Sequence, residues 1–176
     1  MSQVLKPQLA LASVAEMCQL RSWFNSADEQ HSWGGDNFDY PCNELRFLQQ
    51  LCRPGTQSYA LISSDPADNS TELLGFGQLC DRFGCHHLAR LVIHPDQRGQ
   101  GLAKVLIYEL IIQALGQQQR NISLYVHRHN TVAVSCYQQL GFLISPPPEV
   151  ENSRLYFMTL TVAEAFKGAE QYLQQA

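Results

Sequence analysis

The sequence has no apolar run approaching the roughly 18–20 residues that a helix needs to span a bilayer, which excludes an integral membrane protein of the helical kind. It has no surplus of positive charge. Twelve Lys and Arg stand against 16 Asp and Glu, a formal net charge of −4, so the basic face of a dedicated nucleic-acid binder is missing. Charged residues are scarce at 16% beside 45% hydrophobic ones, and a chain of that composition is not intrinsically disordered. Its six cysteines, at 18, 42, 52, 80, 85 and 136, form no CxxC pair and no zinc-like spacing. They read as ordinary thiols in a reducing compartment. His94, His127 and His129 are not arranged as metal ligands either. The chain shows no internal repeat and no linker. With 176 residues it can bury about 70% of its unfolded surface without staples, and one domain over residues 1–176 is expected. Residues 1–15 carry a single lysine and a short apolar stretch ended by Glu16. That reads as a first strand and helix rather than a secretory leader, and a cytoplasmic location is expected.

Strand and helix patterns alternate throughout. Strands are expected over 3–9, 58–63, 73–81, 87–93, 122–126, 142–144 and 154–160, and helices over 14–24, 44–52, 99–115, 131–140 and 162–173. Residues 31–41, rich in Gly, Asn and Asp, read as irregular. Gly141 stands where a helix C-cap favours positive φ. The architecture expected from this order is a mixed α/β domain.

The chemistry concentrates at residues 91–104. Leu91, Val92 and Ile93 end a strand, Pro95 breaks it, and Arg98, Gly99, Gln100, Gly101, Leu102, Ala103 and Lys104 lead into the longest apolar helix. The first N–H groups of a helix lack partners, and the helix dipole adds about half a positive charge there. Small residues let an anion approach them, so this turn suits a phosphate or pyrophosphate. No GxxxxGK[ST] loop is present, and Gly99-x-Gly101 fails the dinucleotide fingerprint because Lys104 occupies its third glycine position.

The spacing that matches is Arg98-x-x-Gly101-x-Ala103. It resembles the R/Q-x-x-G-x-G/A turn of the GNAT family of N-acetyltransferases. A second segment, running from Leu124 and Val126 through Asn130, Ala133 and Tyr137 to Leu140, Gly141 and Phe142, is similar to that family's L-x-V … N-x-x-A-x-x-x-Y-x-x-L-G-F stretch. The likeness is detailed over residues 73–142 and topological outside them. It implies a mostly antiparallel mixed sheet splayed between its central strands, with helices on both faces. It also implies acetyl-CoA as acyl donor and an amine of a small molecule or polypeptide as acceptor. By the same resemblance, Leu91, Val92 and Ile93 pair through their backbone with the pantetheine arm, and a backbone N–H near Val92 serves the oxyanion. The amides of residues 99–104, with Arg98, hold the pyrophosphate. Asn130 touches the pantetheine end while capping a helix, and Tyr137 is the acid for the departing thiolate. Cys136 reads as packing.

The base is less legible. The strands that carry a glutamate in many relatives hold none here. His87 stands near that position, and an imidazole titrating at about 6.5 can relay a proton; Asp81, Tyr125 and a water chain are alternatives. The acceptor is expected at residues 31–41 and 146–156. Trp33, Phe38 and Tyr40 would supply exposed rings there, and Asp36 and Asp39, in a segment also holding Asp28, Glu29 and Glu44, would draw in a cation. Solvated surface charge explains the same acids. The rivals are a catalytically silent acyl-CoA-binding module and an interaction protein that keeps the fold alone. Neither nucleic acid nor membrane is an expected partner, and the oligomeric state stays open, a homodimer included.

Overall fold

The structure is a computed structural model, and it describes residues 6–65, 70–150 and 152–175. In chain order the elements are β1 (Gln8–Leu11), α1 (Val14–Arg21), α2 (Ala27–Gly34), α3 (Glu44–Leu51), β2 (Thr56–Asp65), β3 (Ser70–Arg82) and β4 (Cys85–Ile93), then a 3-10 turn (Pro95–Gln97). After it come α4 (Leu102–Gln117), β5 (Ile122–His127), α5 (Thr131–Gln139), β6 (Leu143–Ser145), β7 (Leu155–Leu160) and α6 (Val162–Gln175). The strands hydrogen-bond in the order β1-β2-β3-β4-β5-β7-β6. The pairs β1–β2, β5–β7 and β6–β7 are antiparallel, and β4–β5 is parallel. This is the mixed α/β sheet expected. The first strand expected over 3–9 is seen from Gln8, residues 1–5 lying outside the described ones, as do 66–69 of the turn expected between β2 and β3.

Residues cluster into two compact units, Met1–Gln78 with Arg90–Leu106, and Leu79–Ala89 with Ile107–Ala176. In the first, α1 begins at a capping box in which Ser13 and Glu16 satisfy each other's backbone donors. α3 begins at Asn43, whose side chain accepts from the Arg46 N–H. α1 and α3 bury Met17, Leu20, Phe47 and Leu51 in one cluster with Trp23, Phe24, Phe38, Ala60, Leu73 and Phe76. Each large side chain so buried contributes about 1.5–3 kcal/mol. Glycine is required at one sheet position. A Cβ on Gly75 of β3 would meet Ile93 Cδ1 at 2.9 Å and the Val92 carbonyl at 3.2 Å, so its absence lets the chain approach residues 92 and 93 closely.

In the second unit α4 buries Ile107, Leu110, Ile111 and Ala114, and β5 buries Ile122, Leu124 and Val126. The β4–β5 ladder is short. It joins His86, His87 and Leu88 to Ile122, Ser123 and Leu124, and β5 runs three residues further with partners on β7 alone.

One expectation is corrected. Residues 31–34, read as irregular, complete α2. Ser26 caps its start by accepting from the Glu29 N–H at 3.2 Å, and Glu29 reaches back to the Asn25 N–H at 2.8 Å. Gly35, at φ 92, closes its end. The Gly34-Gly35 pair therefore marks a helix C-terminus rather than a loop.

Candidate functional site

The glycine turn at residues 98–104 follows β4 and the short 3-10 turn. Gly99 and Gly101 have φ of 78° and 80°, a region that costs an L-residue roughly 1–2 kcal/mol. A Cβ at either would meet nothing within 4 Å, so these glycines serve backbone shape and open approach rather than internal packing. Arg98 is exposed, and its Nε donates to the Ile93 carbonyl at 3.3 Å, which ties the side chain to the strand end. Lys104 is exposed at the first turn of α4. The 16 residues of α4 carry neither acid in the first turn nor base in the last, leaving the positive end of the dipole unopposed by its own side chains.

Just upstream, β4 is kinked at Arg90, a non-glycine residue at φ 51°. The Trp33 indole N–H donates to its carbonyl at 2.8 Å, its Nη1 donates to Gln78 Oε1 at 2.6 Å, and its guanidinium lies 5.3 Å from the centre of the Phe38 ring. Nothing in the sequence marks this kink.

α5 begins at Asn130, whose Oδ1 accepts from the Ala133 N–H at 3.2 Å, the cap expected from its position. It ends at Gly141, φ 95°, with the Phe142 N–H returning to the Tyr137 carbonyl at 3.0 Å. Tyr137 packs edge-on against Phe142 at 6.0 Å. Burial, with Cys136 beside it, pushes its phenol well above the usual tyrosine range. It is therefore a protonated donor throughout the neutral range.

His87 is only 3% exposed. Its Nδ1 is 2.9 Å from Ser123 Oγ, and its ring meets Phe83 and Tyr125 edge-on at 6.0 and 5.7 Å. Burial first, and the Arg82 charge second, lower its pKa to about 4. The expectation of an imidazole relay at about 6.5 is thereby corrected: a base titrating at about 4 is intrinsically weaker by roughly two orders of magnitude. Two of the alternatives have partners of their own. Asp81 accepts from Arg120 at 2.7 Å, and the Tyr125 hydroxyl donates to Glu149 at 3.3 Å.

The acceptor expectation needs a second correction. Phe38 is 2% exposed, folded over Gly34, where a Cβ would strike its ring at 2.7 Å. Trp33 is half-buried among Phe24, Phe38, Phe47 and Phe76, at centroid distances of 4.6 to 6.2 Å. These rings are core and not an exposed lid, because an aromatic cluster gains both area burial and about 0.5–1.5 kcal/mol per favourable pair. Of the acids, Asp39 pairs with Arg46 at 2.6 Å, Glu44 lies 4.0 Å from Arg21, and Glu29 belongs to the α2 cap. Asp36 and Tyr40 are exposed.

Among the described residues, no group of three or more His, Cys, Asp or Glu could hold a metal ion, and no helix is long and apolar enough to cross a membrane.

The model of the acetyltransferase (GNAT) family matches residues 16–142. The chain belongs to the GNAT family. It is 35% identical over 80 residues to the N-acetyltransferase ycf52 of Porphyra purpurea, a match covering 45% of this chain and 44% of that protein. It is also 35% identical over 66 residues to the peptidyl-lysine N-acetyltransferase YjaB of Salmonella typhimurium, covering 38% and 42%. The chain thus spans less than half the length of these relatives. Among solved structures, spermidine N-acetyltransferase from Vibrio cholerae, crystallised with CoA and spermine, superposes with a TM-score of 0.68 at 18% identity. That match covers 91% of this chain and 98% of that one. A domain from Methanocaldococcus jannaschii gives 0.70 at 9% identity, covering 88% and 97%. At such identities the likeness is one of fold. Within this GNAT chain, the turn at residues 98–104, the α5 cap and Tyr137 all have the local conformation that their motifs imply. The Arg90 kink and its holders were not foreseen, since a positive φ on arginine has no sequence signature.

Proposed function

We propose that this chain is an acetyl-CoA-dependent N-acetyltransferase, one catalytic domain over residues 1–176, acting on a primary amine of a small molecule or polypeptide. The observation that carries the reading is the turn at residues 98–104. Two glycines there hold left-handed φ with open space above them, at the start of a long helix whose dipole favours an anion.

In this reading the amides of residues 99–104 take the pyrophosphate, with Arg98 and Lys104 adding charge. The backbone of Leu91, Val92 and Ile93 runs along the pantetheine arm, and an N–H near Val92 stabilises the oxyanion. Asn130 contacts the pantetheine end. A neutral amine attacks the thioester carbonyl, forming the C–N bond. As the tetrahedral intermediate collapses, the C–S bond breaks and the Tyr137 phenol gives its proton to the thiolate. The phenol is protonated at neutral pH, so the proton is there to give. With His87 held at about 4, the ammonium proton leaves through water rather than to imidazole. Asp36 and Tyr40, exposed at the end of α2, are the members of the expected acceptor set left to meet the amine. None of the six cysteines is in a disulfide, which suits a reducing cytoplasm.

The test is thiol release from acetyl-CoA against amines, polyamines, amino acids and peptides carrying free N-termini or lysines. Amine-dependent release supports the proposal. Saturable CoA binding without release for any amine would favour a silent acyl-CoA-binding module, and no CoA binding would leave only the fold.

A further inference from the structure

The aromatic and amide side chains behind β4 form a chain of contacts that packing alone does not require. Gln78 is fully buried. Its Nε2 donates to the Leu51 carbonyl at 3.0 Å and to Ser58 Oγ at 2.9 Å, so both amide protons are committed and the Oε1 orientation is fixed. That oxygen receives the Arg90 guanidinium at 2.6 Å, a charge-assisted bond of the stronger kind. From the other side, Trp33 near the end of α2 donates to the Arg90 carbonyl at 2.8 Å. Phe38 presents its ring to the guanidinium at 5.3 Å. Arg90 is thus gripped through its main chain by one residue and through its side chain by another. Its φ of 51° is unfavourable for an L-residue, a cost that these contacts offset. The peptide that follows belongs to residues 91–93.

We propose that Trp33 and Gln78 are positioning residues that hold the Arg90 kink and so aim the backbone N–H groups of residues 91–93 at the acetyl thioester. The inference rests on the acetyltransferase reading above. It assigns α2, expected to cover the acceptor, a role on the donor strand as well. An N–H that stabilises a developing oxyanion must be fixed before the reaction, and a small displacement is costly because the oxyanion is met only in the transition state. CoA carries the pantetheine arm but lacks the thioester carbonyl, so its binding, shared between the phosphate turn and the backbone of residues 91–93, depends less on that aim than turnover does.

Trp33→Phe keeps a ring in the cluster and removes the donor. Amide hydrogen exchange at residues 91–93 should quicken by about tenfold or more, and kcat should fall by about tenfold or more. CoA affinity by calorimetry should fall by less than kcat does, no more than about threefold. Gln78→Met, which removes the guanidinium's acceptor without touching the indole, should do the same and carries the test if the tryptophan proves necessary for folding. In the unmutated chain the Trp33 indole N–H resonance should shift on adding acetyl-CoA and shift less on adding CoA. Unchanged exchange at 91–93 in a folded variant, CoA affinity falling as far as kcat, or equal indole shifts with both compounds would overturn the proposal. If the unmutated chain neither binds CoA nor releases thiol, the acetyltransferase reading fails instead. Exchange at residues 91–93, read without ligand, still decides whether the clamp exists.

Discussion

His87 offers a prediction whose size follows from its surroundings. Its imidazole is buried, bonded to Ser123 and within the field of Arg82. Both burial and that charge disfavour the imidazolium, which lowers the pKa from 6.5 to about 4. In the unfolded chain the ring titrates at its ordinary value. Between these limits the unfolded state binds the extra proton, so stability rises with pH across that window and is lost as the pH falls through it. At about 1.4 kcal/mol per pH unit, the loss between pH 7 and pH 4 is about 3 kcal/mol from this group. His87→Gln retains a hydrogen-bonding group for Ser123 and removes the titration. Urea unfolding of both proteins from pH 7.5 to pH 4 should therefore show the wild type losing about 3 kcal/mol more than the variant, a difference of roughly 6–12 °C in Tm. Below pH 4 the two curves should run parallel. The pH–rate profile above pH 5 should be unaltered by the substitution. If the two stability curves are parallel throughout, His87 titrates normally in the folded protein. Water then reaches it, and a role as general base is restored.

Five further substitutions test the remaining assignments. Gly101→Glu should weaken acetyl-CoA binding by at least about a hundredfold in calorimetric titration, by placing a carboxylate where phosphate belongs. Gly101→Ala, whose Cβ meets nothing within 4 Å, should cost about 1–2 kcal/mol of stability for its φ of 80° and a smaller loss of affinity. Tyr137→Phe should lower turnover by about a hundredfold or more with donor affinity within a few-fold, read from steady-state kinetics and calorimetry. Asp36→Asn should raise the KM for a cationic acceptor and flatten its salt dependence. Asp39→Asn, whose carboxylate already holds Arg46, should raise KM less and cost no more than about 1 kcal/mol of stability, the pair being exposed.

What was legible in the sequence is what is local. Gly99 and Gly101 record their positive φ in their identity, because few other residues tolerate it. Asn130 and Gly141 announce the two ends of α5 by the same logic. The buried face of α3 follows from the spacing of Phe47 and Leu51. Gly34-Gly35 misled because a helix terminus and a loop share their vocabulary. The difference lay in Ser26, which accepts from the Glu29 N–H, and in Glu29, which accepts from the Asn25 N–H, a signal that has to be weighed eight residues upstream. The rings of Trp33 and Phe38 misled for another reason. Alternation with acids in a short segment says nothing of a partner 57 residues away, and Trp33 finds its acceptor at that separation. Likewise His87 carries an ordinary pKa in its identity and a lowered one only once Ser123, Phe83 and Arg82 surround it.

This division bears on the chemistry. Phosphate recognition needs only backbone donors at one turn, so its residues are contiguous and its motif survives as text. Aiming a carbonyl needs rigidity to a fraction of an ångström, and a single strand cannot supply that. On the proposal above, the strand takes a left-handed φ at Arg90 and is held there by side chains from β3 and from α2, that of Gln78 being anchored in turn to α3 and β2 through Leu51 and Ser58. A glycine at position 90 would accept φ 51° without such support, but it would accept many other values as well. Arginine is strained there, yet it offers a carbonyl and a guanidinium through which one conformation can be held. On that proposal, the local rule is broken at the point where geometric precision is required.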